Sequence, residues 1–113
     1  MSYWYYFSDN FQISPPASSE AIAHINEWDG YWLISDDGSE VEQADVGGNN
    51  CNFVTDLNEI AEKLAEYGST LNGKSYYQGE EPIAGECGVV TISDGSVEEI
   101  EFGEILEVLR KHD

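Results

Sequence analysis

Residues 89–102, VVTISDGSVEEIEF, predict a β-hairpin around which the rest of the fold can be built. Two runs rich in Val, Ile and Thr flank the dipeptide Asp94-Gly95. This dipeptide favours a two-residue type I′ turn, because both central residues of that turn need positive φ. We expect the apolar side chains of the hairpin to face a core and its glutamates to face water or a partner.

The second strand of this hairpin does not alternate regularly. Val97, Ile100 and Phe102 cannot all share one face of a strand with a period of two. An extra residue at Glu98-Glu99, forming a β-bulge, would bring the three apolar side chains to one side and direct the two carboxylates outward. We therefore expect a bulge or a strand break at this position.

The elements around the hairpin follow from hydrophobic periodicity and turn signals. Strands are expected at residues 3–13 with a bend at Asp9-Asn10, and at residues 31–35, 40–46, 51–55 and 75–78, with a turn at 71–74. Helices are expected from Ser18 or Ser19 to about Trp28, from Thr55 or Asp56 to Gly68, and over residues 103–111. The acids of the 40–46 strand suggest a sheet edge, where charge prevents aggregation.

These elements predict an α+β fold over residues 1–113 as a single domain. We expect an antiparallel sheet of five or six strands with two or three helices, because hairpins and short helices rather than regular crossovers join the strands. The hydrophobic fraction of 41% and the aromatic fraction of 12% are those of a folded chain. Composition therefore excludes intrinsic disorder despite the charge.

The charge of the chain is its most unusual property. The formal net charge is −19, from 23 acidic and 4 basic residues. All basic residues follow position 62: Lys63, Lys74, Arg110 and Lys111. Such a chain repels nucleic acid and anionic membranes and attracts basic surfaces. We therefore expect a basic protein partner, with no direct binding to nucleic acid or membrane.

The cysteines and the N-terminal residues bear on the compartment. Cys51 and Cys87 match no metal-ligand spacing, and the first residues lack the basic region and apolar run of a signal peptide. No apolar run approaches the ~20 residues of a membrane span. We expect a cytoplasmic protein with two free, buried thiols, with a disulfide between them as the alternative.

Residues that could support catalysis are few. The two histidines, His24 and His112, offer no convincing base for a serine or cysteine nucleophile. Carboxylates are so abundant that no pair identifies glycoside hydrolysis, and the oxygen-rich turns at 36–40 and 94–96 lack the spacing of an EF-hand loop. We expect no enzymatic activity, no catalytic residue, no cofactor and no metal site.

The acids themselves remain as candidate partner-binding residues, because fixed carboxylates can stand in for phosphates. Those expected on rigid elements are Glu59, Glu62 and Glu66 on a helix and Glu98, Glu99 and Glu101 in the hairpin. Those expected in or after a turn are Asp36, Asp37, Glu40 and Glu42. Of these, Asp36, Asp37 and Glu40 lie in or beside the turn and should be more mobile than the acids on rigid elements.

In size, acidity and α+β character the chain is similar to the DNA-mimic and anti-defence proteins of bacteriophages and mobile elements, which include anti-CRISPR and anti-restriction proteins. Four segments also resemble an uncharacterised domain of small actinobacterial and phage proteins: residues 13–16, 71–73, 79–81 and 90–95. The first resemblance implies an inhibitor that covers the basic nucleic-acid-binding surface of a nuclease or of a CRISPR or restriction effector. The second implies no known activity.

An alternative of another class is an immunity-type or housekeeping interaction protein, in which acidity serves only solubility. Its binding residues would be aromatic, since aromatic side chains are favoured anchors at interfaces. The candidates are Tyr3, Trp4, Tyr5, Tyr6, Tyr31 and Trp32. Their exposure in one patch would favour this alternative.

Overall fold

The computed structural model describes residues 4–28, 31–44, 50–79 and 87–101. The elements in chain order are β1 (Tyr5–Phe7), β2 (Phe11–Ser14), α1 (Ser19–Trp28), β3 (Trp32–Ile34), β4 (Glu40–Gln43), α2 (Phe53–Glu66), β5 (Thr70–Gly79), β6 (Cys87–Ser93) and β7 (Ser96–Glu101). The prediction of an α+β fold with an antiparallel sheet is confirmed, but the sheet of the described residues has seven strands rather than five or six. The helix predicted over residues 103–111 lies outside the described residues.

All seven strands belong to one antiparallel sheet in the order β3-β4-β2-β5-β6-β7, with β1 paired to β5. The long strand β5 organises this sheet. β2 pairs with its first residues, β1 with its last, and β6 along its other side. The bend predicted at Asp9-Asn10 is confirmed, because it separates β1 from β2. The described helices are not long and apolar enough to cross a membrane.

Both helices pack on one face of the sheet, which we call the helix face; the opposite face is the outer face. Alternate strand residues point to each face. The core lies between the helix face and the helices, and its largest fully buried apolar members are Phe11, Ile25, Trp32, Val41, Leu57, Ile60, Leu64, Leu71 and Val90. The buried stripe of α2 is a direct result of apolar residues recurring at helical spacing.

The turn of the predicted hairpin is confirmed. Asp94 and Gly95 both have positive φ, at 48° and 82°, and join β6 to β7. The turn is also tied to β5: the Asp94 amide donates to Asn72 Oδ1 at 2.8 Å and the Gly95 amide donates to the Leu71 carbonyl at 2.9 Å.

The predicted bulge at Glu98-Glu99 is wrong. β7 pairs with β6 without interruption, so that Val97 lies opposite Ile92 and Ile100 opposite Val89. Val97 therefore points to the helix face and Ile100 to the outer face. The chain needs no bulge, because the outer face at this end of the sheet offers apolar neighbours to Ile100.

Three other boundary predictions are also wrong. Residues 71–74 form no turn, because β2 and β6 pair along the two sides of β5 and hold it extended. Residues 51–55 form no strand, because α2 already begins at Phe53 after the N-cap Asn52. The strand at β4 is not an edge, since β3 lies outside it. The predicted end of α2 at Gly68 is confirmed by its φ of 82°.

Two amide side chains complete the edge of β1 that faces away from β5. Asn50 accepts from the Tyr5 amide at 2.7 Å and donates to the Tyr5 carbonyl at 3.0 Å. Gln43 accepts from the Phe7 amide at 3.1 Å and donates to the Tyr5 carbonyl at 2.5 Å. The two amides thereby replace a neighbouring strand, and the buried Asn50 has the partners that a buried polar group requires.

Candidate acidic binding surface

The three predicted acids of α2 are brought together. Glu59, Glu62 and Glu66 are all exposed, and with Lys63 they line a shallow groove along the helix. Their positions are fixed because the opposite stripe of α2 is buried in the core. The acids of this helix therefore form a defined array.

The three predicted acids of β7 are exposed but do not form a single array. Because β7 is regular, Glu99 and Glu101 point to the helix face and Glu98 points to the outer face. α2 packs against β7 on the helix face. We call the carboxylates on this side the helix-side acids: Glu59, Glu62, Glu66, Glu99 and Glu101.

Glu99 is held in place by a buried tyrosine. The Tyr77 hydroxyl donates to Glu99 Oε2 at 2.5 Å. Burial raises the pKa of the Tyr77 hydroxyl above its usual value, and the hydrogen bond to Glu99 raises it further. The hydroxyl therefore remains a donor throughout the physiological range. Gly88 leaves room for this contact, since a Cβ there would lie 2.6 Å from the Tyr77 hydroxyl oxygen.

Asp37 has a structural role in the turn between β3 and β4. Its Oδ1 accepts from Ser39 Oγ at 2.6 Å, from the Ser39 amide at 3.0 Å and from Ser35 Oγ at 2.8 Å. These hydrogen bonds, those from Ser39 foremost, lower the pKa of Asp37 to about 2. Asp37 is therefore hydrogen-bonded within the turn, although it is as exposed as its neighbour Asp36.

The lowered pKa of Asp37 predicts that the effect of Asp37→Asn on stability depends on pH. The pKa of Asp37 is lowered by folding from 3.8 to about 2, so its carboxylate stabilises the fold above about pH 4 and loses this effect as pH falls toward 2. We expect Asp37→Asn to melt below the wild type at about pH 5 and the gap to close near pH 2. Thermal unfolding at both values measures this.

Asp36→Asn is the matched control for that experiment, because it removes the same charge from the adjacent position. Its melting temperature relative to the wild type should not show the same narrowing toward low pH. If Asp37→Asn lowered the melting temperature equally at both pH values, the ionised carboxylate of Asp37 would have no stabilising role in the turn.

Glu40 and Glu42 lie on β4 and point to the outer face, away from the helix-side acids. Both are half-buried, and Glu40 Oε2 accepts from Asn10 Nδ2 at 2.8 Å. The edge-strand explanation of these two acids is wrong, since β4 is an interior strand. It applies instead to β7, which is an edge strand of the sheet formed by the described residues and carries three glutamates.

The predicted aromatic surface is mostly core. Trp4 and Trp32 are buried, Tyr5 and Tyr31 are half-buried, and only Tyr6 of the described candidates is exposed. Tyr3 lies outside the described residues. Edge-to-face contacts such as that of Phe7 with Trp32, at 4.9 Å between ring centroids, show how the rings fill the interior.

The remaining reactive side chains form no recognisable centre. Cys51 and Cys87 do not form a disulfide, as predicted, but Cys51 is exposed and Cys87 half-buried rather than buried. His24 is exposed, with its Nδ1 lying 3.2 Å from the Tyr67 hydroxyl. In the part of the chain that the structure describes, no group of three or more His, Cys, Asp or Glu residues is placed to hold a metal ion.

One surface feature was not anticipated. Tyr6, Tyr76 and Ile100 are large apolar side chains with exposed fractions of 57%, 47% and 50%, and all three point to the outer face. Regular alternation of side chains along residues 75–78 and 96–101 would have placed Tyr76 and Ile100 on that face. The assumed bulge concealed this signal.

Comparisons with known proteins add no relative. No family model matches the chain, and neither the curated proteins nor the solved structures contain a match.

Proposed function

We propose that this chain is a non-enzymatic inhibitor, acting in the cytoplasm, that covers a basic nucleic-acid-binding surface of a nuclease or of a CRISPR or restriction effector. Its carboxylates take the place of nucleic-acid phosphates. The observation that carries this proposal is the placement of the helix-side acids on two rigid elements, α2 and β7, which pack against each other. A chain of net charge −19 brings strong long-range attraction to any basic surface.

The carboxylates of α2 are spaced more widely than the phosphates of one nucleic-acid strand, and Lys63 lies among them. Glu59, Glu62 and Glu66 are spaced by three and four residues, which corresponds to axial separations of about 4.5 and 6 Å. A strand of duplex DNA carries one phosphate per ~3.4 Å of axis. Glu99 and Glu101 add a second line of charge about 6.6 Å apart. Two adjacent lines of carboxylates on one side of the molecule could therefore meet a basic groove.

Two alternatives predict other behaviour. If acidity serves only solubility, the affinity for a captured protein should not depend on which surface charge is reversed. The aromatic alternative has less support, because Trp4 and Trp32 are buried in the core. Both alternatives can be distinguished from mimicry by comparing the affinities of variants in which the same number of charges is reversed at different positions on the surface.

The test uses Glu59→Lys/Glu62→Lys, which reverses two helix-side acids. Proteins captured from a bacterial lysate by the immobilised wild type at low salt should include nucleic-acid-binding proteins, and a DNA duplex should displace them. For a captured protein we expect the double variant to bind at least about tenfold more weakly and with a shallower salt dependence, because close charge pairs at an interface are lost. Calorimetric titration at two salt concentrations measures both effects.

Glu20→Lys/Glu27→Lys is the matched control, since both residues are exposed on α1 and the change in net charge is the same. Its affinity should stay within about threefold of the wild type, reflecting only long-range attraction. If the two variants lost the same affinity, the helix-side acids would contribute only through the net charge of the chain. Failure to capture any nucleic-acid-binding protein at low salt would contradict the proposal.

A further inference from the structure

Three strands of the sheet formed by the described residues have an edge that faces away from their neighbouring strand: β1, β3 and β7. Side-chain amides occupy two of these edges. Asn50 and Gln43 bond to the backbone of β1. At β3, Asn26 Oδ1 accepts from the Ile34 amide at 2.8 Å and Asn26 Nδ2 donates to the Ile34 carbonyl at 3.3 Å.

The edge of β7 has no such amide among the described residues. Its two-residue turn makes Ser93 and Ser96 a pair that exchanges backbone hydrogen bonds, and bonded and non-bonded pairs alternate from there along the two strands. The backbone groups of Val97, Glu99 and Glu101 therefore point away from β6. No other described residue bonds to them. We call these backbone groups the open edge of β7.

An open edge of this kind can bind an extended chain as an added strand. Each of its three residues offers one amide and one carbonyl to such a chain. The edge is also held in a fixed shape. β7 pairs with β6 over its whole length, α2 packs against its helix face, and the Tyr77 hydroxyl donates to Glu99 Oε2.

The side chains of this edge determine which strand it can accept. Glu99 and Glu101 would lie about 4.5–5.5 Å, between Cβ atoms, from residues directly opposite on an added strand. Opposite charges at such positions stabilise strand pairing, and like charges destabilise it. A second copy of β7 would place carboxylates against carboxylates, in a chain that already carries a net charge of −19. A strand with Lys or Arg at alternate positions is complementary instead.

We infer that the open edge of β7 binds an extended cationic segment of the partner protein as an added strand, with Lys or Arg side chains beside Glu99 and Glu101. The cationic character of the partner rests on the proposed function, whereas the open edge does not. Binding then combines backbone pairing at β7 with charge attraction along α2.

Hydrogen exchange of the full chain, followed by NMR, tests the inference with a heptapeptide of alternating lysine and valine as the probe. In the chain alone, the amides of residues 97, 99 and 101 should exchange faster than those of 98 and 100, which face β6. With saturating peptide we expect the three outward amides to exchange at least about tenfold more slowly. The amides of 98 and 100 should change little.

The matched control is the same peptide with every backbone amide N-methylated, which keeps the charges but donates no backbone hydrogen bond. Calorimetric titration should show at least about tenfold weaker binding, because several hydrogen bonds are lost. Equal affinity for the two peptides would overturn the inference, since charge alone would then explain binding.

Two variants locate the peptide at β7. Glu101→Pro and Glu101→Gln remove the same charge, but only proline also removes an amide of the open edge. Proline is tolerated where the amide faces away from the paired strand, and thermal unfolding confirms that both variants fold. We expect Glu101→Pro to bind the unmethylated peptide about fivefold more weakly than Glu101→Gln. Equal affinities would contradict pairing at this edge.

Two further results would overturn the inference. One is protection of the outward amides in the chain alone, because the edge would then be occupied. The other is absence of saturable binding of the unmethylated peptide. Neither decides the proposed function, which is tested by Glu59→Lys/Glu62→Lys on α2, outside the open edge.

Discussion

Replacement of Gly38 by alanine is expected to destabilise the protein by about 2–5 kcal/mol, which corresponds to a fall in Tm of roughly 10–25 °C. Gly38 has a φ of +77°, and a Cβ there would lie 2.4 Å from the carbonyl oxygen and 2.8 Å from the nitrogen of Ala17. The clash is with backbone, which cannot move aside as a flexible side chain can. The Ala17 amide also donates to the Gly38 carbonyl at 2.8 Å.

Gly68→Ala separates the two contributions to this effect. Gly68 has a similar φ of +82°, but a Cβ there would meet nothing within 4 Å. We expect it to cost only about 1–2 kcal/mol, from the backbone conformation alone. Thermal or urea unfolding of both variants measures the difference. Equal losses would show that the contact with Ala17 contributes nothing to stability.

Gly88→Ala is expected to have the second largest effect, a loss of about 2–4 kcal/mol. A Cβ at Gly88 would lie 2.3 Å from the Ile100 carbonyl oxygen and 2.6 Å from the Tyr77 hydroxyl oxygen. Either β7 must separate from β6 or the Tyr77 ring must leave its place and release Glu99. The loss from the broken hydrogen bond is only partial, because the Glu99 carboxylate is exposed and water replaces part of this bond.

Tyr77→Phe provides the control, since it removes the hydroxyl and keeps the ring. Alone it should cost about 1 kcal/mol, the usual net value of one hydrogen bond. In the Gly88→Ala background it should cost less, because the hydrogen bond is already broken and the contact with the hydroxyl is relieved. Denaturant unfolding of the four proteins gives the coupling energy. Strict additivity would contradict the contact between Tyr77 and position 88.

Local chemistry accounts for the parts of the fold that were predictable from sequence. The turn at Asp94-Gly95 requires positive φ at two adjacent residues, and Gly68 ends α2 by the same requirement. The core stripe of α2 follows from helical spacing. Asp37 between Ser35 and Ser39 could also have been recognised, because an aspartate in a turn often accepts from serine and backbone donors nearby.

The errors concern interactions between distant parts of the chain. Asn72-Gly73 is a turn signal, but pairing with β2 and β6 keeps this part of β5 extended. The position of β4 inside the sheet depends on which strands pair, and no residue of β4 encodes that choice. For the candidate site, the exposure of the α2 acids was predictable from the helix alone. The separation of Glu98 from Glu99 and Glu101 required the true register of β7.

The amides of Asn50 and Gln43 at the edge of β1 have a consequence for how this fold can vary. The buried polar side chains of the described residues are Asn50, Ser69 and Ser75, which carry no formal charge. A side-chain amide both donates and accepts hydrogen bonds, so it can pair with the backbone groups of a strand edge without placing a charge there. Among the described residues, the fully buried interior therefore carries no formal charge, and the charged side chains are exposed or half-buried. Selection or engineering could therefore rewrite the charge pattern, even to a cationic one, while retaining the same interior.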